Sequence, residues 1–172
     1  MSEDWSKLRD IEPLADGRVR IEFAIALDEL PRVTPQLART AGCVTGWARF
    51  DRERGMPVAD VEVAARVALT CQRCLAPLEW PVQCRDRVAL VAGAAEADRV
   101  PEGLETLLAP DHRVSVRDLV EEELLLALPI VPLHAADDCA AVHEVRSVDR
   151  DTADQERHRP FERLDELLKR RP

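Results

Sequence analysis

The chain has 172 residues, of which 46% are hydrophobic and only 3% aromatic, and its formal net charge is -9. That length suits one domain with a real core, built mostly from Val, Leu, Ala and Ile, with room for a tail. No run of about 18 apolar residues occurs, which excludes a transmembrane helix, and the acidic balance excludes a simple polyanion binder coated in basic residues.

The first residues, "MSEDWSKLRD", are charged from the third position and carry no apolar signal region, so a cytoplasmic protein with reduced thiols is expected. Five cysteines is also an odd count, which a complete disulfide framework would not leave. Charge is unevenly placed. Between Ala94 and Leu124 nine acids face three arginines, whereas eleven arginines balance ten acids from Asp16 to Leu90.

"GRVRIEFAI" (17–25) alternates, with Val19, Ile21, Phe23 and Ile25 on one side and Arg18, Arg20 and Glu22 on the other. The alternation predicts a half-buried strand. A Pro-bounded helical segment is expected over 28–42, ending near Gly42. "VTGWARF" and "VADVEVAARVAL" flank "DRERGMP", which predicts a hairpin with a polar loop. Val61, Val63, Ala65, Val67 and Leu69 then share a face. In "LEWPVQCRDRVALV", Leu78, Trp80, Val82, Cys84, Val88 and Leu90 also share a face, interrupted only by Asp86. Pro81 implies that this strand starts late or lies at an edge. Cys71 and Cys74 fall at the tip between these strands.

Residues 92–110 are small, acidic and irregular, and a loop is expected. "SVRDLVEEELLLALP" (115–129) predicts a helix with Ser115 as N-cap and Asp118 completing a capping box. Val116, Leu119, Val120, Leu124, Ala127 and Leu128 form its buried side, Glu121 to Glu123 are expected to face out, and Pro129 ends it. The organisation expected is a single α+β domain over 1–139, an antiparallel β-meander or barrel-like sheet packed by a few helices. A flexible polar linker (140–159) and a C-terminal amphipathic helix (160–172), with Phe161, Leu164 and Leu168 as its apolar side, complete it.

A structural zinc site needs four ligands, usually as two short-spaced pairs. Cys71 and Cys74 supply one pair, and His134 and Cys139 in "PLHAADDC" supply the other, as C-x2-C…H-x4-C. Plain structural thiols are the second reading. A redox pair is the third, weakened because the pair enters a turn and not a thiol-activating helix N-terminus. Cys84 and Cys43 are expected in the core, and His112, His143 and His158 in solvent. A Cys-His nucleophile lacks any oxyanion hole. Glu121–Glu123 cannot converge on one Mg2+, because consecutive helical residues fan around about 200°. No phosphate-cradling glycine loop appears, and the chemistry predicts a protein that is not an enzyme.

"LTCQRCLAPL", "LVEEELLLALPIVPLH" and a following cysteine, with the closing "RPFERLDELLKRR", resemble the YceD family, described as large ribosomal RNA subunit accumulation proteins. The resemblance spans about residues 15 to 170. Cys71, Arg73, Cys74, Leu75, Glu122, Leu128, Pro129, Pro132, His134 and Cys139 match the motif positions, while Arg159 replaces a common Asn. It implies a role in synthesis, processing or stability of 23S rRNA and carries over no catalytic residue. The expected function is therefore a ribosome-biogenesis accessory factor that binds precursor rRNA or a large-subunit assembly intermediate. Arg85, Arg87, Lys169, Arg170 and Arg171 are its candidate phosphate contacts, on a surface that also includes Arg18, Arg20, Arg49 and Arg66. The alternatives are an adaptor that docks a basic ribosomal protein or a processing enzyme, and a metal-dependent nuclease or phosphatase.

Overall fold

The structure, a computed structural model, describes residues 4–139. The expected linker over 140–159, the C-terminal helix over 160–172, and Lys169, Arg170 and Arg171 lie outside the described residues. The chain divides into two compact units, 1–134 and 135–172.

A five-stranded sheet organises the first unit. Its strands are β2 (Arg20–Ala26), β3 (Cys43–Glu53), β4 (Met56–Thr70), β5 (Pro77–Val91) and β6 (Glu105–Leu108), adjacent in that order. The first four form an antiparallel meander, and β6 joins β5 in parallel. The α+β class and the meander agree with the sequence, but the sheet is open rather than closed. A separate two-stranded ladder pairs β1 (Arg9–Asp10) with β7 (Arg113–Val114).

Alternation decides which side of the sheet is buried. The register aligns Phe23, Gly46, Val63 and Cys84 in one inward row and Ile21, Ala48, Val61 and Asp86 in the next. Helices α1 (Ile11–Asp16) and α3 (Val116–Ala127) pack on this side. Ile11, Ala15, Leu119, Val120 and Leu124 meet Phe23, Val61 and Val63 in a core with almost no solvent contact. On the outer side, Val58, Ala89 and Val91 are covered by Ala97, Val100 and Leu104. The rest of that side, from Arg20 to Arg85, is polar.

The β3–β4 hairpin turns on Arg54 and Gly55, both at positive φ (50° and 85°), the two-residue geometry whose twist suits antiparallel strands. Pro81 sits opposite Arg66 in the β4–β5 ladder. β6 reaches only Val88–Val91, so at Pro81 the other edge of β5 carries no strand and a missing N–H is tolerated.

Three expectations are corrected. Residues 28–42 hold no α-helix but two 3-10 turns, Leu27–Glu29 and Thr34–Gln36. Pro31 and Pro35 stand four apart, so an α-helix would set the Pro35 ring against the Pro31 carbonyl. Residues 92–110 are not a plain loop, since they contain the short helix α2 (Ala94–Ala97) and β6. Parallel pairing of so short a strand depends on a distant partner and leaves no local pattern. Cys43 is exposed, because it opens β3 opposite Ala26 at the end of the ladder.

α3 begins as expected. The Ser115 hydroxyl accepts the Asp118 N–H at 3.0 Å, although Ser115 is fully buried. Ser115→Ala removes this cap, and chemical denaturation should show a loss of about 1 kcal/mol with an unchanged denaturant slope.

Candidate metal centre

β4 ends at Thr70, and residues 71–76 turn the chain into β5. The Cys71 N–H donates to the Ala76 carbonyl at 3.0 Å and the Leu75 N–H to the Cys71 carbonyl at 2.9 Å. Leu75 takes φ 60° to close the loop. After Pro129 the chain bends at Ile130 and Val131, and the Gln72 N–H donates to the Pro132 carbonyl at 2.9 Å. This contact seats His134 against the cysteine turn.

Sulfurs and imidazole then converge. The Cys74 Sγ lies 3.3 Å from His134 Nδ1, and the His134 N–H points at the Cys71 Sγ at 3.5 Å. His134 Nε2 lies 3.2 Å from the Pro77 carbonyl. A carbonyl only accepts, so Nε2 must carry the proton and donate it. In the neutral imidazole, the form that binds a metal, the Nδ1 lone pair then faces the sulfurs. A backbone acceptor that fixes the tautomer of a ligating histidine is the usual outer support of a metal site. The three ligand atoms lie within 4.8 Å of one another.

Electrostatics favour a cation here. Burial pushes the Cys71 thiol up, but the N–H groups of Cys74, His134 and Arg73 outweigh it and bring it down to about 5. The Cys71 and Cys74 sulfurs raise His134 above its ordinary value, helped by the Pro77 carbonyl against the opposing effect of desolvation. Two thiols and an oriented imidazole form a soft N/S donor set that can hold a metal ion. Cys139 lies in the second unit, directly after the turn Ala136–Asp138.

The candidate RNA contacts divide. Arg85 is exposed on the outer side of the sheet, with its guanidinium 5.0 Å from the Trp47 ring centroid, and Arg20 approaches the same ring at 4.4 Å. Arg87 pairs with Glu53 at 3.0 Å and Asp60 at 3.3 Å. Arg49 pairs with Asp51 at 3.2 Å. The grouping around Trp47 escapes a strand-by-strand reading, because it joins side chains from β2, β3 and β5.

Two further expectations change. Glu121 and Glu123 do not face out but are 1% and 2% exposed. Glu121 accepts the Arg32 N–H at 2.7 Å, while Glu122 alone turns outward and pairs with Arg32 at 2.7 Å. His112 is only half exposed, between Glu12 at 3.9 Å and Glu96 at 3.7 Å. The sequence signal for Glu123 was Asp86, the one acid on the apolar side of β5.

An open meander with two helices on one side and a Cys/His clasp at one end defines an α+β domain with a candidate metal centre. The family model described as "Large ribosomal RNA subunit accumulation protein YceD" matches residues 59–168. The chain belongs to the YceD family. A relative from Haemophilus influenzae carrying that same description is 28% identical over 134 residues, covering 75% of this chain and 76% of its own length. No solved structure matches the chain.

Proposed function

We propose that this protein is a cytoplasmic, non-enzymatic accessory factor that supports accumulation of 23S rRNA by binding precursor rRNA or a large-subunit intermediate. Family membership supports the role. The observation that carries direct RNA contact is the outer side of the sheet, where Arg20 and Arg85 flank Trp47. Arginine recognises phosphate, and stacking on the Trp47 ring holds both guanidiniums in place on the sheet surface. Among the described residues no helix is long and apolar enough to cross a membrane.

Sedimentation of tagged protein from lysate tests the role. Co-migration with large-subunit precursors supports it, and a free peak under all conditions overturns it. Direct contact predicts salt-dependent binding to a 23S fragment. Charge reversal of Arg85 and Arg87 should weaken that binding about tenfold or more and reduce the salt slope by roughly one to two. Arg85 should account for most of the loss, since Arg87 is already paired with acids. Binding of a basic ribosomal protein without RNA would favour the adaptor reading instead. That reading draws support from exposed Leu75, Leu126, Ile130, Val131 and Leu133.

The clasp is a structural zinc site in this reading, with Cys71, Cys74, His134 and Cys139 as ligands. Cys139 stands five residues beyond His134, within reach of a chain that extends about 3.3 Å per residue, and completes a Cys3His set. Complete burial of the Cys71 sulfur speaks against a redox pair, whose thiolate must be reachable.

A further inference from the structure

We propose that Cys84, Asp86 and Glu123 form a second metal site, for a divalent transition-metal ion of zinc type, which ties helix α3 to strand β5. This site shares no residue with the Cys/His clasp, and its case does not depend on the role in rRNA accumulation.

Geometry carries the proposal. Cys84 and Asp86 stand two apart on β5, so both project to the side on which α3 packs. Glu123 reaches them from α3 and is 2% exposed. Its Oε1 is enclosed and has no hydrogen-bond partner. One ligand atom from each residue lies within 4.8 Å of the other two. Ligand atoms around a tetrahedral zinc ion stand about 3.5 Å apart, so modest side-chain adjustment would close the set on an ion.

Among the described residues no basic side chain forms an ion pair with Asp86 or acts on Glu123. Arg85 and Arg87 alternate to the outer side of the sheet, where they meet Trp47 and the carboxylates of Glu53 and Asp60. Arg32, in the segment between β2 and β3, is held by Glu122, and Arg117, the base on α3, stands almost two turns before Glu123. Burial first, then Asp86, Glu105 and Glu122, push Glu123 up to about 7. Burial, Glu123 and Asp86 push the Cys84 thiol up to about 11. A buried carboxyl with an orphaned oxygen, set beside another acid, is tolerated only when a proton or a cation neutralises it.

The donor set selects the ion. One thiolate with two carboxylates suits zinc and its borderline neighbours. Calcium and magnesium prefer all-oxygen shells, and cuprous ion prefers sulfur. Asp86 is exposed, which gives the ion an entry and leaves water room to complete its shell.

The test is zinc content of the full chain, equilibrated with zinc chloride and dialysed, in wild type, Glu123→Gln, Asp86→Asn and Cys71→Ser. Glu123→Gln and Asp86→Asn should each lose one equivalent relative to wild type while circular dichroism confirms the fold. Cys71→Ser should lose a different equivalent, so failure of one site is separable from failure of the other. Cobalt substitution gives a second readout. A sulfur-to-cobalt charge-transfer band retained in Cys71→Ser should vanish on adding Cys84→Ser. Equal zinc content in wild type, Glu123→Gln and Asp86→Asn overturns the proposal. So does a pair that holds only a proton. In that case stability falls as pH rises from 4.5 to about 7, Glu123→Gln abolishes the fall, and zinc changes nothing. The sign follows because the folded state would keep a proton that the unfolded state has already released.

Discussion

On the zinc site proposed above, Cys71→Ser should release the metal and lower the melting temperature by about 6–12 °C. The expected loss is at least about 3 kcal/mol, at roughly 2–4 °C per kcal/mol for a domain of this size. The full zinc contribution in small fingers is larger, about 10–16 kcal/mol. Here the sheet and its core remain to hold the fold when the metal leaves. Cys71 is the informative position because its sulfur is fully buried and receives the His134 N–H. A serine oxygen can accept that same N–H, so without a metal the substitution should cost little. Thermal melts with and without chelator separate the cases. Chelator should destabilise wild type and leave Cys71→Ser unmoved. Identical melts for the two proteins in zinc would remove the clasp from the account.

Gly46→Ala should be at least as damaging, for a reason that involves no ligand. A Cβ on Gly46 would stand 1.9 Å from the Glu62 carbonyl oxygen and 2.9 Å from the Phe23 ring. Overpacking in a core usually costs about 1–3 kcal/mol. This contact is with backbone of the neighbouring strand, which cannot rotate aside, so a loss above about 3 kcal/mol or outright insolubility is expected. A urea titration measures it. Phe23→Leu on the same background should restore little, since it relieves the ring and leaves the carbonyl in place. Full recovery in that double variant would show that the ring alone forbids a side chain at Gly46.

These positions show what was legible beforehand. The cysteine turn was visible because parity along the two flanking strands left Cys71 and Cys74 at the tip, and His134 followed from its spacing past α3. Ser115 was visible as a cap because capping is a contact three residues long. Gly46 carried no warning. Its requirement arises from Phe23 and Glu62, which reach it only through strand pairing. Glu121 and Glu123 looked like a solvated face because charge normally marks the outside of a helix. Their burial depends on the Arg32 backbone and on Asp86, neither of which is near in sequence.

Sequence alone thus determined the features that depend on neighbours along the chain. These are the alternating strands, the cap on α3, the proline stop, the cysteine pair and the family. Only the tertiary structure decided which way Nδ1 of His134 faces, that Trp47 collects arginines from two other strands, and that Asp86 meets a buried Glu123. The physical reason is range. Periodicity and capping are set within about four residues, whereas a site is made where segments distant in the chain are brought together by register and packing.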